Sequence, residues 1–455
     1  MTPVYILLIV ALIILFVIAF YRQIGYYHTL TPVLGWLAGL FFFIVLPLTF
    51  IILNEGYVRP GYPKLYPLVG SITTQPAEFL MPFILVWIIL ALTNLVVIFF
   101  TPKSPLWHED QEKQLNKGTL SLIQLKKILI SSIVISFIFF AINIYLGGGF
   151  SNYFSQHWYY RFKDLSTQYG LIITLYLKLY SANQVILAAA SGLLVMAAIQ
   201  NKWNKNYLLL AASVLTLVLN MVVSGNRIYV ALLMIYLLAA MVSFLNPKKL
   251  IKYSLYLIPI VPIFSVWAYV RSNIANLSSA LQNYVTTINL ASSKVMTTLM
   301  DLTEGSDSMM LFKIIRDFGI TIPLLHGQTY LKAITSVLPS SLGLSTKSFS
   351  IILANIYLPG LNVSANGTAL GEMWANFGFL TLLFIPLFTF LIMRIGHSFY
   401  VHLEKRMLLN SVLFVLLIWM ARSVFADNFQ LFILSFLIIW GLGYEKNLYH
   451  LSTDH

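Results

Sequence analysis

Two carboxylates, a set of arginines and a short aromatic run are the residues of this chain whose types and spacing could do chemistry. Glu372 stands in "SANGTALGEMWANFGFL", residues 364–380, at the head of an apolar run, with Asn376 one helical turn further on. A carboxylate within hydrogen-bond reach of a reacting hydroxyl can take its proton. Asn376 would share the face of Glu372 and could hold the orientation of that carboxylate. An ordinary helix entrance is the plainer reading, because a helix N-terminus favours an exposed carboxylate by about 0.3–1 kcal/mol. Asp427, in "WMARSVFADN", is the second candidate base. Either carboxylate could instead orient an arginine.

The arginines are placed for anion binding. Arg227 lies in "NMVVSGNRIYVALL", a tight turn between two apolar runs, at the start of a helix where the dipole disfavours a cation. A bound anion accounts for that position; an arginine snorkelling to the membrane surface is the alternative. Arg271 and Arg422 stand at helix ends that suit a cation. Arg161 is embedded in "QHWYYRFKD", and Arg316 lies in a long segment between spans. Facing one compartment, these arginines would suit a diphosphate, since guanidinium forks bind phosphate oxygens bidentately. Trp158 and Tyr159 could stack on sugar faces beside it, or belong to an interfacial aromatic belt.

Other chemistries lack their motifs. No P-loop, dinucleotide fingerprint, H-E-x-x-H or nucleophile elbow occurs. Asp301, Glu304 and Asp307 are spaced three apart and could converge on a cation, but a solvated, capped helix end is the plainer reading. No D-x-D pair is present, which argues against a metal-dependent sugar transferase. We expect no metal and no cofactor. The absence of cysteine excludes disulfides and thiol chemistry.

The elements that must position these residues follow from composition. Of 455 residues, 59% are hydrophobic and only 9% charged, with a mean hydropathy of +0.83. Soluble domains carry roughly a quarter charged residues, so this is a polytopic membrane protein. A helical span needs about 20 mostly apolar residues. The runs near 4–20, 34–53, 79–100, 128–146, 180–199, 207–223, 228–245, 254–270, 375–393, 408–424 and 429–443 meet that need. They do not alternate as barrel strands would, so the expected class is all-α, with about eleven transmembrane helices. Residues 1–20 have no basic stretch before their apolar core, and we read them as a first span rather than a cleaved signal.

Lysine is concentrated in 101–127, 201–206, 246–252 and 397–407, which places those loops in the cytoplasm. The C-terminus is then inside, the N-terminus outside, and 54–78, 147–179, Gly225–Arg227, 271–368 and the turn at Asp427 face outward. The net charge of +13 is largely this topology signal and calls for no nucleic acid. The domain reading is a transmembrane bundle of about eight spans over 1–270 with an outer loop at 147–179. An outer cap of short amphipathic helices lying on the membrane surface follows over 271–368, then a C-terminal bundle of about three spans over 369–455. The cap contains His326.

The outer turn "SGNRIYV", the long outer segment and "TALGEMWANFGFLTLLFIPLF" together resemble the bacterial O-antigen and oligosaccharide repeat-unit polymerases, the Wzy group. In that family a G-E-x-x-x-N-F-G-x-x-G pattern closes the large periplasmic loop; Gly371, Glu372, Asn376, Phe377 and Gly378 match it, and Thr381 stands in place of its last glycine. Arg227 and Arg161 are similar in placement to its periplasmic arginines. A glycine eleven positions after such arginines is not reproduced, since Gly170 follows Arg161 by nine. The resemblance implies a GT-C-like, metal-independent glycosyltransferase of the bacterial inner membrane. It would join undecaprenyl-diphosphate-linked oligosaccharides at the outer face, alongside a flippase and a chain-length regulator. The alternatives are the related O-antigen ligase, which would use a loop histidine such as His326, and a polysaccharide flippase or other transporter.

Overall fold

The first apolar run folds as α1, Thr2–Tyr27. Its buried residues Tyr5, Ile9, Leu12, Phe16 and Ala19 recur every three or four positions, whereas Leu7, Val10, Ile14 and Val17 face outward. One face packs on the protein and the opposite face is apolar and exposed, the pattern of a helix at the edge of a bundle in lipid. The computed structural model describes residues 2–27, 30–53, 76–103, 122–149, 158–199, 207–224, 228–245, 278–279, 281–282, 285–286, 305–335, 348–359, 365–401 and 403–441. Among these the chain is helical almost throughout and contains no strand, only one isolated bridge between Phe318 and Ile322.

The helices that follow are α2 (Pro32–Leu53, through a π-helical turn at Phe41–Val45), α3 (Pro76–Phe100), α4 (Leu122–Leu146) and α5 (Trp158–Ile199). Next come α6 (Tyr207–Ser224), α7 (Ile228–Phe244), α8 (Gly305–Asp317), α9 (Gln328–Thr335) and α10 (Phe349–Tyr357). The chain ends in α11 (Thr368–Phe377), α12 (Thr381–Val401), α13 (Leu403–Arg422) and α14 (Phe425–Gly441). Five helical stretches among the described residues are long and apolar enough to cross a membrane: Pro3–Tyr27, Pro32–Leu53, Phe79–Phe100, Gln124–Leu146 and Thr368–Ser398. The chain is thus an all-α protein of membrane type. Each expected span falls on a helix except 254–270, which lies outside the described residues.

The centre of the bundle is α2 against α13. Gly35 and Gly39, spaced as G-x-x-x-G, bring the two backbones together: a Cβ on Gly35 would lie 2.3 Å from the Phe414 carbonyl oxygen. Small residues at this spacing are how helices associate in lipid, where close backbone packing replaces the hydrophobic drive. Asn410 Nδ2 donates to the Leu30 carbonyl at 2.7 Å, and Trp36 Nε1 donates to Thr389 Oγ1 at 3.1 Å. On one side α4–α7 are joined by polar pairs: Tyr176 to Asn143, Tyr180 to Asn220, Asn183 to Ser136, and Ser181 to Tyr229. On the other side α1 packs on α3 through Tyr5, Phe79 and Phe83.

Two arrangements differ from expectation. The 147–179 stretch is not a loop along its whole length, because α5 begins at Trp158 and runs 42 residues without a break. At 1.5 Å per residue that helix is about 63 Å long, twice the hydrocarbon thickness, so apolar length sets the span but not the end of the helix. The second concerns α8, expected on the membrane surface. Ser308 to Ile315 are all buried, and Ser308 Oγ donates to the Phe43 carbonyl at 2.6 Å. That carbonyl belongs to the π-helical turn of α2, where the i→i−4 ladder is interrupted. Phe312 stacks on Phe79 of α3 with ring centroids 5.0 Å apart. Leu311 and Ile314 complete its apolar contacts, so α8 is a packed element of the bundle.

Candidate functional site

α11 enters the bundle after Gly367, with Thr368 at φ 60°. Two glycines bring α8 against it: a Cβ on Gly371 would meet Ile314 Cδ1 at 2.9 Å, and one on Gly367 would meet it at 2.6 Å. Gly378, at φ 54°, ends α11 and turns the chain into α12. The short helix is therefore an angled entry to a span, set by a glycine that alone tolerates such a φ without strain.

Glu372 lies in the second turn of α11 and is fully buried, 0% exposed. Its Oε2 accepts the backbone N–H of Phe425. Phe425 opens α14, so this N–H is one of the donors a helix N-terminus leaves without an intrahelical partner. A Ser, Asp or Asn at the N-cap normally satisfies such a donor. The preceding residue here is Val424, which has no polar side chain, and Glu372 does the capping from another helix. The α14 dipole adds to the attraction. Asn428 closes the same turn by donating to the Val424 carbonyl at 2.7 Å and to Ser423 Oγ at 2.5 Å. Arg422, half-buried, ends α13 three residues before the N–H that Glu372 holds.

Asn376 does not orient the carboxylate. Its Nδ2 donates to the Glu372 backbone carbonyl at 2.7 Å and to Thr329 Oγ1 at 2.8 Å, while its Oδ1 accepts the Gly327 N–H at 2.9 Å. The side chain therefore pins the turn before α9 onto α11. Leu325 N–H, donating to the Ala375 carbonyl at 2.9 Å, fixes the same turn by backbone. His326, exposed and at φ 47°, is carried on it.

This docking brings in a residue that the sequence does not single out. The Tyr330 ring packs on Phe377 at 5.6 Å and on Phe425 at 5.2 Å between centroids. Its hydroxyl is buried, and no described residue lies within hydrogen-bond distance of it. Burial, and then the negative charge of Glu372, push the phenol well above its ordinary 10.0. Tyr330 is consequently a neutral hydroxyl, its ring packed on the Phe425 whose N–H Glu372 accepts. Its only signal in the sequence is the glycine of "HGQTY", which marks a turn but says nothing of where the turn docks.

No family model, no curated protein and no solved structure matches the chain. The site is accordingly read from its own residues. Arg316 is not set aside for a ligand: its Nε donates to Asp317 Oδ1 at 2.7 Å, and it is 33% exposed. Asp317 Oδ2 also accepts the Tyr357 hydroxyl at 3.1 Å, and Lys313 Nζ lies 5.0 Å from the centre of the Tyr357 ring. Burial and Arg316 lower the Lys313 ammonium below its ordinary 10.5, with Asp317 acting the other way. This group sits at the α8–α10 contact.

The remaining sequence candidates are divided by position. Arg161, Trp158 and Tyr159 lie in the first turn of α5 and Asp427 in the first turn of α14, but their side chains are outside what is described. Arg227 and Arg271 lie outside the described residues, as do Asp301 and Glu304. Among the described residues no cluster of three metal-ligating side chains occurs. Glu372 and Arg422 thus lie at the α13–α14 turn, with Tyr330 packed on its Phe425, while Asn376 holds the turn before α9. Chemically, the arrangement offers a fixed acceptor, a neutral donor and a guanidinium on the adjoining helix end.

Proposed function

We propose that the protein is a polymerase of lipid-linked oligosaccharide repeat units, acting at the outer face of a bacterial inner membrane. The observation that supports this reading is a fully buried carboxylate, Glu372, seated on the arginine-bearing turn between two apolar helices. It lies within one of the two stretches that resemble the repeat-unit polymerases. About eleven spans, with 54–78, 147–179 and 271–368 on the outer side, complete the proposed topology.

In the proposed reaction a hydroxyl oxygen of the acceptor sugar attacks the anomeric carbon of the donor. The bond from that carbon to the diphosphate oxygen breaks, and its electron pair leaves on the undecaprenyl diphosphate. The acceptor proton passes to a carboxylate, Glu372 first and Asp427 second. Arg422, with Arg161, Arg227 and Arg271, would balance the charge gathering on the diphosphate, a role in which no metal is required. Arg316, already paired with Asp317, is the weakest member of the set.

A second reading, ligation of finished polymer onto a lipid core, draws support from His326, carried on the turn that Asn376 holds. Deleting the gene separates the readings. Loss of a polymerase leaves a single repeat unit on its acceptor, whereas loss of a ligase or a flippase leaves none. Unchanged long chains in a strain with no second polymerase would overturn the proposal.

A further inference from the structure

The Tyr330 hydroxyl is a buried polar group at this site with no hydrogen-bond partner among the described residues, and neither secondary structure nor packing explains it. Burying a hydroxyl with no hydrogen-bond partner is costly, and here a phenylalanine would preserve both ring contacts. The group that it awaits has to suit two neighbours at once. A carboxylate accepts only, and a neutral phenol has one proton to donate. A phosphate oxygen is repelled by Glu372, and an ammonium leaves the phenol proton unused. An alcohol fits both, because its own proton goes to the carboxylate while its oxygen accepts from the phenol. The flanking Phe377 and Phe425 rings present apolar surface, which suits the C–H face of a pyranose rather than water alone.

We infer that the Tyr330 hydroxyl and the Glu372 carboxylate form a subsite for the attacking hydroxyl of the acceptor sugar. This rests on the glycosyl-transfer reading above and adds to it a substrate-touching residue. Tyr330 donates to the acceptor oxygen and keeps its own proton throughout. As that oxygen bonds to the anomeric carbon, the acceptor proton moves to Glu372 and the anomeric carbon–oxygen bond breaks toward the diphosphate. Phe425 N–H, anchoring Oε2, keeps the carboxylate aimed during the transfer.

The test uses full-length protein in proteoliposomes, with lipid-linked repeat units extracted from a strain in which the gene is deleted. Tyr330→Phe is expected to raise the repeat-unit concentration for half-maximal chain extension about 10-fold, the loss of one buried hydrogen bond. Its unfolding temperature in detergent should equal or exceed the wild-type value, since no hydrogen bond within the protein is lost and an unpartnered buried hydroxyl is removed. Unchanged extension kinetics in Tyr330→Phe, beside an active wild type, would overturn the inference. So would a lowered unfolding temperature, since the hydroxyl would then be bonded within the protein. A wild type that extends no chains overturns the glycosyl-transfer reading itself, a distinct outcome.

Discussion

The Glu372 carboxylate caps a helix that begins 53 residues later in the chain, accepting the N–H of Phe425. One acid side chain thus ties the angled entry of α12 to the start of α14 and stands beside the end of α13. Capping and chemistry are separable by experiment, because an amide can do the first and not the second.

Glu372→Gln keeps an acceptor oxygen for Phe425 and removes the charge. We expect its unfolding temperature in detergent to fall little and its surface polysaccharide to stop at one repeat unit. Glu372→Ala removes the cap as well and should cost about 0.5–2 kcal/mol of stability. Polysaccharide gels and thermal unfolding of both variants check this pair of outcomes. Normal chain length in Glu372→Gln would leave the residue with capping alone.

Asn376→Ala takes partners from the Gly327 N–H, from Thr329 Oγ1 and from the Glu372 carbonyl. Leaving buried polar groups unsatisfied costs about 1–3 kcal/mol. The loss should be local: amide exchange at Gly327 and through the start of α9 rises, while exchange in α2 and α13 does not. Hydrogen-exchange mass spectrometry resolves the two regions.

Alkaline stability should depend in part on Tyr330 and Tyr357, two tyrosines outside the expected spans whose hydroxyls are raised above 10.0. Above pH 10 the unfolded chain has released these protons and the folded chain retains them. The folded state therefore binds more protons, and stability falls as pH rises from that point. Below pH 10 both states are protonated and the effect vanishes. Tyr330→Phe should shallow the decline above pH 10, read as unfolding temperature against pH, without changing the slope of the curve below pH 9.

Gly35→Ala places a Cβ against the Phe414 backbone carbonyl, where nothing can move aside cheaply. Gly25→Ala, in α1, meets nothing within 4 Å. The first should cost several kcal/mol and sharply reduce the monodisperse fraction on extraction, since overpacking commonly costs about 1–3 kcal/mol even where side chains can yield. The second should be neutral or slightly stabilising, alanine being the better helix former by about 1 kcal/mol. Size-exclusion profiles of the two variants in detergent make the comparison.

Much of this architecture was legible in composition and run length, because a bilayer permits few solutions: long apolar runs must be helices with satisfied backbones. Residues whose partners are distant in sequence were not. Asn376 was read correctly as sharing a helix with Glu372, yet its partner is Thr329, and nothing local announces a contact across 47 residues. Ser308 looked like part of a surface helix because α8 is short and amphipathic; the acceptor that buries it is a carbonyl freed by the π-helical turn of α2. Tyr330 was invisible for the same reason, its neighbour Phe425 lying on another helix. Glu372 stood out because a carboxylate at the edge of an apolar run is expensive wherever it packs.

The α2–α13 contact also sets a timetable for synthesis. Leu30 is made 380 residues before Asn410, whose side chain caps its carbonyl, and Gly35 and Gly39 wait as long for Phe414 and Ile418. At about 5–20 residues per second that delay is on the order of 20–80 s. During it the central helix resides in the membrane with its glycine groove open, shielded by lipid or by insertion machinery. Assembly of the bundle is therefore completed from the C-terminal end, and truncation before α13 would release a chain whose innermost helix has no counterpart.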